Sequence, residues 1–257
     1  MENSVKTSDE IASLREGGKI LRKALNEAKK KAQESTGDVS TLDVSLVAEK
    51  VILDAGATPA FKNYSSDGKN FFPETACVSL NDEIVHGVPL KDRFIKPGDI
   101  VKIDVGVKWR GLFTDAAISV IVGKGSEQAK KIVKITRESL EIGLKEIKAG
   151  KRLGDYGAAV EEFVVSNGFK VVRGLVGHGV GYEVHEAPQV PNFGERESGI
   201  EFKEGMVLAL EPMVNELSSE IKLGSDQMTF LTKKGGLSAH FEDTIVVTKD
   251  GCEVLTR

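Results

Sequence analysis

Two aspartates sit in neighbouring strand-like runs of the segment from Asp99 to Val122. Val101, Ile103, Val105 and Val107 alternate with Lys102, Asp104 and Gly106, the period-two pattern of a half-buried strand. A second run starting at Leu112 carries Asp115, and Lys108-Trp109-Arg110-Gly111 reads as the turn between them. A turn of those four residues pairs Val107 with Leu112 and sets Asp104 directly opposite Asp115. Side chains so paired share one sheet face, with Cβ atoms roughly 4.5–5.5 Å apart. Carboxylates that close repel, and a shared proton or a bound cation relieves them. Two acids alone could equally be surface residues in a slipped register, so the reading depends on what else accompanies them.

Two further acids stand in similar settings. Glu211 ends the run Met206–Leu210 and precedes Pro212, which stops helix formation there. Glu242 lies in the alternating run Ala239–Thr248, where it and Asp243 point to opposite faces. The chain has four histidines, His86, His178, His185 and His240, and all fall in these same segments. His178 is flanked by Gly177 and Gly179, which lets backbone approach a ligand closely. His185 follows in Val184-His-Glu-Ala-Pro-Gln-Val190, a placement that suits a general acid or hydrogen-bond donor. Asp104, Asp115, His178, Glu211 and Glu242 make an oxygen-rich set with one imidazole. Such a set suits two hard or borderline divalent ions, Mn, Fe, Co or Zn, bridged by acids. Cys77 and Cys252 have no thiol partner nearby, which argues against a thiolate zinc site and fits a reducing compartment.

The elements that must position these groups are legible as a doubled pattern. Residues 1–6 read as a loose tail. Thr7 with Glu10 makes a capping box, and Ile11, Leu14, Gly18, Leu21, Leu25 and Ala28 recur at helical spacing. Gly37-Asp38 breaks that helix; a second runs from about Thr41 to Asp54 and stops at Gly56. A loop over 58–75, with Ser65, Ser66, Asp67 and Gly68 at its tip, leads to strands Cys77–Leu80, Glu83–His86 and the hairpin. A helix from about Ser126 to Lys148, a second from about Tyr156 to Asn167, and further strands then follow, with a loop around Pro188–Ser198. Lys96-Pro-Gly-Asp-Ile-Val-Lys-Ile-Asp104 aligns without gaps on Lys203-Glu-Gly-Met-Val-Leu-Ala-Leu-Glu211, and His86-Gly-Val88 on His178-Gly-Val180. Asp115 with Ile118 and Val120 likewise matches Glu242 with Ile245 and Val247, and Ala48-Glu49 before Gly56 matches Val160-Glu161 before Gly168. The expectation is an α+β fold, one catalytic domain over 1–257. Its duplicated halves cover about 7–123 and 124–255, related by a pseudo-twofold axis, with helices over one face of a curved antiparallel sheet and the acids on the other.

Composition bounds the function. The 257 residues are 40% hydrophobic and 29% charged, with a net charge of −4. That is a globular composition with no basic field for nucleic acid or an anionic membrane. No apolar run approaches the ~20 residues that span a bilayer, and the charge-rich N-terminal stretch is unlike a signal peptide, so a cytoplasmic location is expected.

The runs SLNDEIVHGVP, GDIVKIDVGV, GLFTDAA, GHGVGYEVHEAPQV, ALEPM and SAHFEDTIVVT resemble the methionine aminopeptidase family in its shorter type I form, in order, from about Thr7 to Leu255. The resemblance implies the pita-bread fold and removal of the initiator methionine from nascent proteins. It implies two divalent metals, with Asp115 and Glu242 bridging, Asp104 completing one ion and His178 with Glu211 the other. A metal-activated water would attack the first carbonyl. Glu211 would accept and shuttle the proton, His185 would steady the oxyanion, and His86 would contact the scissile amide. The substrate's α-amine would bind near Asp104.

Three positions depart from the family pattern. Val184 stands where an aromatic precedes the His-Glu-x-Pro motif, Met228 where a Trp lines the pocket, and His240 where a Gln is common. Together with Phe72, Cys77 and Met213 they are expected to shape a pocket for an unbranched thioether side chain, widened or retuned at the altered positions. The expected partner is the N-terminal peptide of a nascent protein. The resemblance admits association with the ribosome, although no Cys-rich or Lys-rich docking extension is present, and a monomer is expected. Two alternatives fit less well. Same-fold Xaa-Pro peptidases usually follow the first metal Glu with Gly, where this chain has Glu211-Pro212-Met213, and carry a large N-terminal domain. Non-catalytic binding relatives typically lack several ligands, and here all five are present.

Overall fold

The computed structural model describes residues 5–65 and 68–257. Of the expected loop tip, Ser66 and Asp67 lie outside the described residues. The chain runs α1 (Ser8–Gln33), α2 (Thr41–Asp54), β1 (Thr58–Pro59), β2 (Ala76–Leu80), β3 (Glu83–Val85), β4 (Ile100–Trp109) and β5 (Leu112–Ile121). It continues through α3 (Glu127–Leu144), α4 (Leu153–Ser166), β6 (Lys170–Val171), β7 (Gly177–Gly179), β8 (Glu186–Val190), β9 (Val207–Leu210) and β10 (Met213–Asn215). The last strands are β11 (Ile221–Leu223), β12 (Phe230–Thr232), β13 (Ser238–His240), β14 (Asp243–Val247) and β15 (Cys252–Val254).

The helix starts follow from their caps. Thr7 accepts from the Glu10 amide while Glu10 accepts from the Thr7 amide at 2.7 Å, and Ser40 with Asp43 does the same for α2. The predicted stripe of α1 is the buried one: Leu14, Gly18, Leu21, Leu25 and Ala28 face the sheet. α3 ends four residues before Lys148 because Glu146 and Ile147 bond back three residues, to Gly143 and Leu144, tightening the last turn. α4 begins earlier than expected, at Leu153. Gly154 and Gly157 look like helix breakers, yet a side chain there would strike the carbonyls of Glu195 and Phe193. The loose tail expected over residues 1–6 is corrected for its described part, Val5 and Lys6. Val5 bridges to Met206, and the Lys6 amide donates to Gly205 O at 2.8 Å.

The hairpin differs in register from expectation. Its turn is two residues, Arg110 and Gly111, both at positive φ (49° and 86°), so Trp109 pairs with Leu112. Asp104 therefore faces Ala117, and Asp115 faces Gly106. The two acids are diagonal rather than opposite. The shift is two residues, an even number, so they remain on one face.

β4 is flanked by β1, β2 and β5, and a second sheet runs β15-β14-β9-β7-β8; all these pairs are antiparallel. Two small sheets, β13-β10-β6 and β11-β12-β3, complete the set. α1 packs on β4 and β5, and α3 on β13 and β10. One continuous apolar core joins Leu21 and Leu25 of α1 with Ile103, Val105, Leu140, Tyr156, Leu208 and Leu210. The predicted run Ala239–Thr248 is not one strand. β13 pairs with β10 and β14 with β9, and the chain changes sheets at Phe241-Glu242.

Candidate metal centre

The change of sheets at Glu242 builds the site. Between the two strands, Glu242 pairs with Ala117 of β5: its amide donates to Ala117 O at 2.9 Å and its carbonyl accepts from the Ala117 amide at 3.2 Å. Two residues along, the Thr244 hydroxyl accepts from the Asp115 amide at 2.9 Å and donates to Asp115 O at 2.7 Å. These four bonds join the two sheets and bring Asp115 beside Glu242. Asp243, on the other face as predicted, is held instead by Arg257.

His178 approaches from β7, which pairs with β9 through His178 and Ala209. Its Nδ1 lies 2.9 Å from Gly179 O. A carbonyl can only accept, so Nδ1 carries the proton and Nε2 keeps its lone pair for the site. That Nε2 lies 3.5 Å from Glu211 Oε1. Ligand atoms of Asp115, His178 and Glu242 all lie within 4.8 Å of one another. Asp104 and Glu211 line the same cavity as these three, and the Asp104 and Asp115 carboxyls are close enough to shift each other's protonation.

The electrostatics of this group are unresolved by the protein itself. Among the described residues no lysine or arginine forms an ion pair with the four carboxylates, and Asp104 Oδ1, Asp115 Oδ1 and Glu242 Oε1 are buried without a hydrogen-bond partner. Burial pushes Asp104 up to about 7. Burial and then the charges of their neighbours hold Asp115, Glu211 and Glu242 well above the usual carboxylate range. The same burial lowers His178 and His240 to about 3 and His86 to about 4, and it lowers His185 as well. Four buried acids, three of them with an orphaned oxygen, beside neutral imidazoles are a donor set that fits divalent cations. Divalent ions would remove the cost of holding the acids together.

The group forms the floor of a cavity of about 360 Å³. Phe61, Phe72, Cys77 and Met228 line it together with His86, His185 and His240. Cys77 pairs with Asp104 across β2 and β4, and burial and the adjacent acids raise its thiol pKa well above normal, so it is an apolar wall group. Val184 belongs to the apolar cluster behind Phe72 and Cys77. Met213 does not reach the cavity lining. It is buried in a separate cluster with Ile84, Val85 and Val172, facing His240 across β10 and β13. His86 has φ of 58°, uncommon outside glycine, with its ring edge-on to Phe230 at 5.7 Å between centroids.

Several positions at the site carry no sequence signal of their own. Tyr64, in the loop before β2, lies with its hydroxyl 2.7 Å from His185 Nδ1. The buried Asn192 donates to Glu211 O at 3.0 Å and accepts from the Tyr156 hydroxyl at 2.7 Å. Neither loop shows a period, and only the fold brings them in.

A family model for metallopeptidase family M24 matches residues 12–249. The chain belongs to metallopeptidase family M24. Membership implies the use of divalent metal. Among its relatives in the family are methionine aminopeptidase 1 of Bacillus subtilis (strain 168), 42% identical over 98% of each chain, and the methionine aminopeptidase of Escherichia coli (strain K12), 37% identical over 100% of this chain and 94% of that one. The crystal structure of the Thermotoga maritima methionine aminopeptidase superposes with a TM-score of 0.93 at 42% identity, covering 98% of each chain. The Pyrococcus furiosus prolidase superposes at 0.78 and 25% identity, but this chain covers only 65% of it. With these M24 neighbours, helices backing antiparallel sheets around a central site constitute the α+β pita-bread fold expected from sequence.

Proposed function

We infer that this M24 chain is a methionine aminopeptidase, a metal-dependent exopeptidase that releases methionine from the N-terminus of nascent proteins. The observation that carries the reading is one cavity with two chemistries: unneutralised buried carboxylates on its floor and the apolar wall of Phe61, Phe72, Cys77 and Met228 beside them. The names of the relatives support the same activity.

In this reading Asp104, Asp115, His178, Glu211 and Glu242 would hold two divalent ions, Co, Mn, Fe or Zn, with Asp115 and Glu242 the acids that contribute to both. Such ions supply Lewis acidity toward the scissile carbonyl and make an attacking water more acidic. Glu211 takes the proton of that water and passes it to the leaving amine. His185, at the cavity mouth against Tyr64, donates to the charge that develops on the carbonyl oxygen. His86, kept neutral by burial, contacts the scissile amide. The methionine side chain lies along the apolar wall, backed by Val184, and its α-amine sits by Asp104. His240 lines the same pocket, and Met213 bears on substrate only through that histidine.

The matched local patterns support reading 7–123 and 124–255 as duplicated halves of a single catalytic domain. We further propose a cytoplasmic monomer that meets its substrates as they leave the ribosome. No helix among the described residues is long and apolar enough to cross a membrane. The deciding experiment is hydrolysis of Met-Ala-Ser, Ala-Ala-Ser and Xaa-Pro peptides with Mn or Co added. Release of methionine from the first alone is expected. Cleavage only before proline, or no turnover with any metal, would overturn the reading.

A further inference from the structure

The N-terminal segment before α1 is tied to the loop that carries His185. The Lys6 side chain is fully buried, and its ammonium lies 2.8 Å from Glu186 Oε2. The other oxygen of Glu186 accepts from the Glu183 amide at 2.9 Å and from the Tyr182 amide. Lys6 Nζ also stands over the Tyr182 ring, 4.1 Å from its centroid, and the Tyr182 hydroxyl donates to Glu10 of α1 at 2.8 Å. Two glycines make room for this. A side chain on Gly181, at φ +144°, would fall 2.3 Å from Lys6 Cε, and one on Gly205, at φ +84°, would press on Val5 and Lys6 O.

Burying an ammonium is costly unless it is paired and hydrogen-bonded, so so complete a burial needs a return. The return here is geometric. Glu186 is the residue after His185; its Oε1 closes the turn 182–186 by accepting from Tyr182 and Glu183, and its Oε2 is anchored by Lys6. With Nδ1 of His185 engaged by Tyr64, the ring has one side-chain anchor, and the backbone that carries it is the turn closed by Glu186. We propose that Lys6 is a positioning residue for the reaction: through Glu186 it holds the 182–186 turn so that His185 reaches the scissile carbonyl. This rests on the role given to His185 above.

The test is a double-mutant cycle in the full chain, with metal content and circular dichroism checked for every variant. Lys6→Met should lower kcat roughly 10–100-fold, as for a misplacement of about 1 Å, with metal content unchanged. In the His185→Ala background the same substitution should lower kcat no further, because the group being positioned is gone. Glu186→Gln keeps an acceptor for the two amides and loses the charge, so it should give a smaller loss of the same kind. It also serves if Lys6→Met does not fold. Amide exchange at Tyr182 and Glu183 should accelerate in both variants. An equal loss in both backgrounds, an undiminished kcat in Lys6→Met, or unchanged exchange would overturn the proposal. Full activity of His185→Ala would overturn the reading beneath it, and is told apart because the exchange at Tyr182 and Glu183 does not depend on His185.

Discussion

A buried carboxylate that keeps its proton near neutrality competes with metal for the same oxygen. Asp104 is pushed up to about 7, against about 4 in an unfolded chain. Between those values the metal-free folded protein binds more protons than the unfolded chain, so its stability falls as pH rises. The contribution is full below about pH 4 and lost by about pH 7, and the urea midpoint of metal-stripped protein should decline across that window. Metal affinity should move the other way, rising through the same window with proton release measurable by calorimetry in buffers of different ionisation enthalpy. An affinity independent of pH would contradict the ligand assignment. Asp115→Asn removes one of the carboxylate charges proposed to hold metal and should abolish metal binding and turnover together; turnover with a full metal complement would contradict it. His185→Ala should keep its metal and lose roughly 10²–10⁴-fold in rate. Loss of metal in that variant would make His185 a ligand instead.

Individual elements are held by contacts that local propensity does not reveal. Gly18 sits in the buried stripe of α1, where helix propensity favours alanine by about 1 kcal/mol. A Cβ there would lie 1.9 Å from Leu255 O, a backbone atom that cannot turn aside. Gly18→Ala is therefore expected to destabilise by about 1–3 kcal/mol in denaturant unfolding, the opposite sign to propensity. A stabilised variant would mean that α1 does not lie against the backbone at Leu255. The same distinction explains the hairpin. Alternation in Val101–Val107 identified a strand and the correct face for Asp104, but the register was set by Arg110 and Gly111 adopting a left-handed turn that the four-residue reading did not include. The early start of α4 at Leu153 is a related case: Gly154, a poor helix former, is where Glu195 O leaves no room for a side chain.

Across the molecule, the site occupies the seam between two sheets. Asp104 and Asp115 come from one and His178 from the other, Glu211 follows β9 of that second sheet, and Glu242 lies where the chain crosses between them. Ions bound at such a seam favour the folded state alone, so they stabilise it by mass action, about 2.7 kcal/mol at a hundred times the dissociation constant. A chelator should lower the Tm of the wild type, and added Mn or Co should restore it. Asp115→Asn should show no such shift, and one as large as the wild type's would mean that the ions bind elsewhere.

The sequence by itself determined which residue types the site would contain and which elements would carry them. Alternation, capping boxes and helical stripes are local signals, written within a few residues, and Asp104, Asp115, Glu211 and Glu242 each sit inside one. The strand break before β14 was not local. It depends on Ala117 offering Glu242 its backbone pair from a distant strand. Tyr64, Asn192 and Lys6 are likewise separated from their partners by 121, 19 and 180 residues, in segments with no period of their own. Their contacts exist only once the chain has closed, because a hydrogen bond across such a separation depends on where packing puts the two ends. Tertiary structure thus decided register, pocket wall and the hold on His185, while the chemistry of the floor was already spelled out in the residues.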